Sequence, residues 1–264
     1  MRSSAPARRP RVQTLPLGVR IALGAALPIA LVAIWQLVST FGGIPAYRLP
    51  SPTTVFLAGV DLYNRGLLAQ HVAISTQRVL IGFTVGSLLG LVAASFVGLS
   101  RIGGHLIAPT LGGIRAIPSL AWVPLLILYL GINEDSKVVL ISIGAFFPVY
   151  TVVSNALRHV DAQLLEAGRA YGYTGIRLLA LVQLPSAVPA VVSGLRLALS
   201  QSWLFLVAAE LLGAAMGLGF LLVESQQNGR IDRVFLTILL LATLGIVTDA
   251  VVGVLERLLL KRWS

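Results

Sequence analysis

Four ionisable side chains, Arg115, Arg196, Glu210 and Asp249, interrupt stretches of sequence that are otherwise free of charge. Burying a charge in such surroundings costs ~2.5–3.5 kcal/mol on membrane-insertion scales, so each of the four must face protein or water and not lipid. The two arginines could do chemistry together. A guanidinium presents a planar fork of N–H donors that matches the oxygens of an oxyanion. Counted from the ends of their apolar stretches, Arg115 and Arg196 sit at matching depth, ~15 Å in at 1.5 Å per residue, which suits a weak, transient anion site. The competing expectation is structural pairing, with Asp249 the nearest partner for Arg196. Glu210 lies just before the glycine-rich stretch Gly213–Gly219 and reads either as part of a gate or as an interfacial carboxylate among headgroups.

Most other chemistry lacks its residues. A phosphate-cradling loop G-x4-G-K-[ST] needs a lysine followed by Ser or Thr, but Lys137 precedes Val138 and Lys261 precedes Arg262. No ATP site and no cofactor are expected on this chain. His71, His105 and His159 lie far apart without an H-E-x-x-H pattern, there is no G-x-S-x-G elbow, and there is no cysteine, so neither metal binding nor hydrolysis is expected.

The elements that hold these residues follow from composition. Of 264 residues, 56% are hydrophobic and only 11% charged, against about 25% charged in soluble domains. Charge-free windows run Ile21–Thr40, Val79–Ser100, Ala116–Asn133, Val138–Leu157, Leu178–Leu195 (resuming at Leu197–Ala209) and Val234–Thr248. Each approaches the ~20 residues that cross a ~30 Å hydrocarbon layer. This predicts an all-α integral membrane protein with six spans. The third is expected over about 105–131, kinked by Pro109, Pro118 and Pro124.

The net charge of +10 is scattered between apolar blocks and forms no stripe, so it is read as a topology signal and not as a nucleic-acid surface. With the N-terminus in the cytoplasm, twelve basic residues fall on the inner side and six (Arg48, Arg65, Arg78, Lys137, Arg230, Arg233) on the outer. That bias places both termini inside. Residues 1–17, rich in Pro and Arg, are expected as a cytoplasmic tail, and 18–264 as one transmembrane domain whose first block is an uncleaved anchor. Outside, Tyr47–Pro52 is extended and Thr53–Leu68 can form a surface helix. Gly82, Gly86, Gly90, Ala94 and Gly98 place a small residue every fourth position on one helical face, for packing within the chain or against a second copy.

The longest inner loop, 158–185, is amphipathic: Leu164, Leu165, Ala167 and Ala170 alternate with Asp161, Glu166 and Arg169. A short helix lying on the membrane face would suit it, ended by Gly172 at positive φ, with Pro185 starting the next helix. Within it, Glu166-Ala167-Gly168, three residues, Gly172, nine residues, and Val182-Gln183-Leu184-Pro185 resembles the EAA signature of permease subunits of bacterial ABC importers, E-A-A-x3-G-x9-I-x-L-P. Gly168 stands for the second Ala and Val182 for Ile. Leu49–Pro52, Arg115–Pro124 and Phe146–Tyr150 resemble the aliphatic-sulfonate branch, which also includes taurine, nitrate and thiamine-precursor permeases.

The resemblance covers roughly residues 45–260 and implies the type I importer (MetI-like) permease fold. It further implies a homodimer in the bacterial inner membrane, two ATPase subunits that carry ATP and Mg, and a periplasmic substrate-binding protein. Glu166, Ala167, Gly168, Gly172, Leu184 and Pro185 then become the ATPase-coupling residues. Arg115, Arg196 and Glu210 become the expected substrate pathway for an organic sulfonate. A membrane scaffold that docks a partner without transport is the alternative of a different class.

Overall fold

The computed structural model describes residues 16–118, 121–211 and 213–260, and among these every regular element is helical. Most of the expected tail, residues 1–15, lies outside the described residues. In chain order the helices are α1 (Leu17–Phe41), α2 (Pro52–Asn64), α3 (Leu67–Leu99), α4 (Arg101–Arg115), α5 (Trp122–Leu130), α6 (Glu134–Arg158), α7 (Ala162–Ala170), α8 (Gly175–Leu178), α9 (Leu184–Leu211), α10 (Leu218–Gln227) and α11 (Ile231–Leu260). Five helical stretches are individually long and apolar enough to cross a membrane: the α1, α3, α6 and α11 helices, and the run from Gly175 to Leu211.

The third expected span departs from a single kinked helix. It is divided into α4 and α5, whose 15 and 9 residues are each too short to cross alone. The break follows from proline chemistry. Pro118 lies just past the end of α4, and Pro124 falls in the first turn of α5, where its missing N–H has no intrahelical partner to lose.

The bundle centre is α3, α6 and α9. The small-residue face of α3 lies against α6: a side chain at Gly82 would meet Ile141, one at Gly86 would run into the carbonyl of Ser142, and one at Gly90 would come within 2.8 Å of the carbonyl of Phe146. The stripe is therefore an internal packing surface. Ala94, Val97, Ala145, Val149, Val153, Leu157 and Ala198 fill the core beside it.

Two boundaries move relative to the sequence reading. The surface helix ends at Asn64, and after Gly66 at φ 74° the chain turns directly into α3, twelve residues before the expected start at Val79. Arg78, read as a boundary charge, is thus inside the helix. Pro185 stands in the first turn of α9, as expected, but helical chain already runs into it from Gly175. The ladder widens into a π-type turn over Leu179–Gln183 immediately before it, as expected where a proline ring cannot sit over the carbonyl four residues back.

Candidate functional site

The loop between α6 and α9 carries the EAA-like residues. Asp161 caps α7, its carboxylate accepting from the Gln163 N–H at 2.9 Å. The helix ends with Tyr173 N–H donating to the Gly168 carbonyl (3.0 Å) and Gly172 at φ 80°, the left-handed C-terminal arrangement that glycine adopts most readily. Gly168 is buried: a side chain there would come within 2.7 Å of Leu178 and 2.9 Å of Val182. The nine-residue spacer therefore folds Val182 back onto the middle of α7, and the glycine in the Ala position lets the two approach closely. Glu166, Ala167 and Leu184 remain exposed, and Pro185 is half-buried. Beside them Tyr171 and Ile176 are 81% and 82% exposed, a pair left uncovered by the other described residues.

The second region is a half-open cavity of about 470 Å³ between the α4–α5 break, α6 and α9. The α4–α5 break supplies Arg115 and Trp122, α6 supplies Gly144, Phe147 and Thr151, and α9 supplies Gln201 and Phe205. Arg115 donates to the Thr151 hydroxyl at 3.1 Å. Among the described residues no carboxylate lies within 4.0 Å of its guanidinium.

Arg115 and Arg196 are not brought together. Arg196 faces α11, where Nε and Nη2 each reach Asp249 at 2.6 Å and Nη1 lies 3.5 Å from Glu256. Leu197 and Gln201, a half-turn round α9, face the cavity instead. The structural pairing of Arg196 with Asp249, one of the two sequence expectations, is what the structure contains.

Glu210 is placed still more differently. At 1% exposure it is neither among headgroups nor open to the cavity. Its carboxylate accepts from Arg78 Nη1 (2.7 Å), the Ser75 hydroxyl (2.8 Å) and the Gly219 N–H (2.7 Å). Arg78 in turn holds Glu134 through Nε and Nη2 (2.6 Å each) and the Met216 carbonyl through Nη1 (2.7 Å). Lys137 closes the chain at 3.2 Å from Glu134. The glycine-rich segment is pinned by the same cluster, since the Gly217 N–H donates to His71 Nδ1 and the Leu218 N–H to Ser75.

Arg78 and Lys137 had been counted among outer topology charges; both are buried members of this network. Sequence reasoning missed it because charge-free windows make any charge a boundary. The available signal was His71, Ser75 and Arg78 at i, i+4 and i+7, three polar groups on one face of an otherwise apolar helix.

Among the described residues, a helical bundle with a broken third span, a cavity between the α4–α5 break, α6 and α9, and an amphipathic helix at one end suits a helical membrane permease. The chain belongs to the family of binding-protein-dependent transport system inner membrane components, whose model matches residues 86–261. It is similar to two proteins that carry the name aliphatic sulfonates transport permease protein SsuC. The one from Bacillus subtilis (strain 168) is 40% identical over 90% of this chain and 86% of its own, and the one from Escherichia coli (strain K12) is 41% identical over 90% of each. The taurine transport system permease protein TauC of Escherichia coli is 30% identical over 92% of this chain and 90% of its own.

Among solved structures, an amino acid ABC transporter chain aligns at TM-score 0.60 and 22% identity over 78% of this chain and 98% of that one. A chain of the MetNI methionine ABC transporter, in an inward-facing conformation, aligns at 0.56 and 23% over 76% and 97%. These likenesses show the ABC importer permease fold. The chain is an inner-membrane permease subunit.

Proposed function

We propose that this permease carries a small organic sulfonate, and that Arg115 meets the anion on its way. The observation that carries the reading is the cavity at the α4–α5 break. Arg78 and Arg196 are each neutralised by carboxylates, while Arg115 offers its guanidinium to a 470 Å³ space with only a hydroxyl as partner among the described residues. Thr151 and Gln201 add polar groups, and Trp122, Phe147 and Phe205 supply walls that suit a short aliphatic chain. A fixed cation that holds its substrate through few contacts can also release it, which a pathway requires. The names of the SsuC and TauC relatives agree with a sulfonate.

In this reading two copies form the pathway, a periplasmic binding protein delivers substrate, and two ATPase subunits bind the α7 face. The exposed Tyr171 and Ile176, beside Glu166 and Ala167, suit that docking, and ATP and Mg reside on the partner. The orientation with α7 in the cytoplasm is supported by the basic residues: the segments expected on that side carry twelve, while the other end keeps Arg48, Arg65, Arg230 and Arg233 once Arg78 and Lys137 are withdrawn into the buried network.

The test is reconstitution of the full transporter, with its ATPase and binding protein, in liposomes. Sulfonate should stimulate both ATP hydrolysis and uptake. Arg115→Ala should lower uptake at least about tenfold, the loss of one charge-assisted hydrogen-bonded contact, while folded yield and ATPase assembly stay normal. Normal sulfonate uptake by Arg115→Ala would remove the residue from the pathway.

A further inference from the structure

A second polar cavity, of about 310 Å³, lies at the α7 end of the bundle between the α3–α4 turn and the end of α6. Its polar groups are Ser100, His105 and Arg158. Arg158, the last residue of α6, lays its guanidinium across the first turn of α4, where a side chain at Gly104 would lie 3.1 Å from Nη2. Among the described residues its side chain makes one hydrogen bond, a long contact of 3.5 Å to the Val97 carbonyl. Among the described residues no carboxylate lies within 4.0 Å of Arg158, and the His105 ring makes no hydrogen bond.

The flank of the cavity is apolar. α3 and α6 both end here, and the α4 face next to His105 presents Ile102 and Leu106 at 75% and 71% exposure. A free phosphate would have no use for that apolar flank. An acyl chain does, and the headgroup above it would fill the place of the missing carboxylate.

We infer that this cavity binds the phosphate of an anionic membrane phospholipid, with Arg158 and His105 as donors and the acyl chains lying along Ile102 and Leu106. Three residues after Arg158 comes Asp161, the cap of α7, so the bound lipid braces the root of the loop that meets the ATPase. Assignment to the cytoplasmic leaflet rests on the orientation given above; the binding itself does not.

The full-length chain is purified, stripped of lipid and placed in nanodiscs of phosphatidylcholine with and without phosphatidylglycerol, and retained lipid is counted by native mass spectrometry. Wild type should retain phosphatidylglycerol in preference to phosphatidylcholine. Arg158→Gln should lower that retention about fivefold, the effect of one interfacial cation, and His105→Gln should lower it as well. Arg257→Gln, a cation at the same end outside the cavity, should not.

His105 bears no load in the fold, so its variant remains informative if Arg158→Gln does not fold. Equal retention by wild type and both cavity variants overturns the proposal. So does inorganic phosphate protecting the lipid-free protein against heat as well as phosphatidylglycerol does, since a free anion would then be the occupant. Reporter fusions that reversed the orientation would move the site to the other leaflet and leave the retention data standing.

Discussion

Arg78 on α3 and Glu210 on α9 meet at 2.7 Å across 132 residues of sequence, with side chains 5% and 0% exposed. With Glu134 and Lys137 they form an alternating chain of two cations and two anions, so the cluster itself carries no net charge. The arrangement also ends a helix. Glu210 and Ser75 accept from the N–H groups of Gly219 and Leu218, which open α10 and have no partners within it.

Removing one member should therefore be far more damaging than removing both. Glu210→Ala leaves Arg78 short of one carboxylate and frees the N–H of Gly219, and should destabilise the protein by ~3–5 kcal/mol. Arg78→Met with Glu210→Met should recover much of that, because Glu134 is 62% exposed and keeps Lys137. Thermal unfolding and folded yield in detergent check both. A double variant no better than the single one would show that the N–H contacts, and not the charges, hold this end together.

Long apolar helices were legible in the sequence because the membrane imposes length and hydropathy together, and the loop motif was legible because its spacing encodes a fold-back of Val182 onto Gly168. Glycine at 172 announced its own positive φ. What escaped were features that only tertiary contact defines. Arg78 and Glu210 each look like a boundary residue until they are paired, and the matching depths of Arg115 and Arg196 carried no information about which neighbouring helix each would face. The division of the third span into α4 and α5 was half visible: three prolines indicated a kink, but not that the chain would leave helix altogether.

The α3 face tests how tightly the core is set. Gly86 lies against the backbone of α6, where an added side chain would run into the Ser142 carbonyl and come within 2.8 Å of the Ala145 methyl. Backbone cannot yield as a side-chain tip can, so Gly86→Val should cost at least the ~1–3 kcal/mol typical of overpacking and largely abolish folded protein. Gly112→Ala on α4, with nothing within 4 Å, should be neutral or stabilising by up to ~1 kcal/mol. Fluorescence-detected size exclusion of the two variants separates these outcomes.

Gly172 offers the opposite case, because its surroundings are open and only its backbone angle matters. No atom lies within 4 Å of a side chain added there, yet φ is 80°. Gly172→Val should misdirect the chain from α7 into α8, at ~1–2 kcal/mol of local strain, and should weaken ATPase co-purification or uncouple hydrolysis from transport. Gly172→Asn, which tolerates the left-handed region, should retain most coupling. If valine and asparagine behaved alike at wild-type level, the angle would be irrelevant to coupling.

Arg196 and Asp249 decide whether a charge within a membrane-spanning helix serves substrate or structure. Their bidentate contact, 2.6 Å on each arm, joins α9 to α11, and the buried Gly253 leaves room for the guanidinium beside it. Neither residue lines the Arg115 cavity. Arg196→Ala should strand Asp249 in an apolar setting and lower folded yield severalfold, with uptake falling only in proportion. Arg196→Ala combined with Asp249→Ala removes both charges at once and should restore yield, a non-additivity that reports direct coupling between the two sites. Uptake per folded molecule should then match wild type. A single Arg196→Ala variant that expressed normally and lost only sulfonate uptake would reverse the assignment and return Arg196 to the pathway.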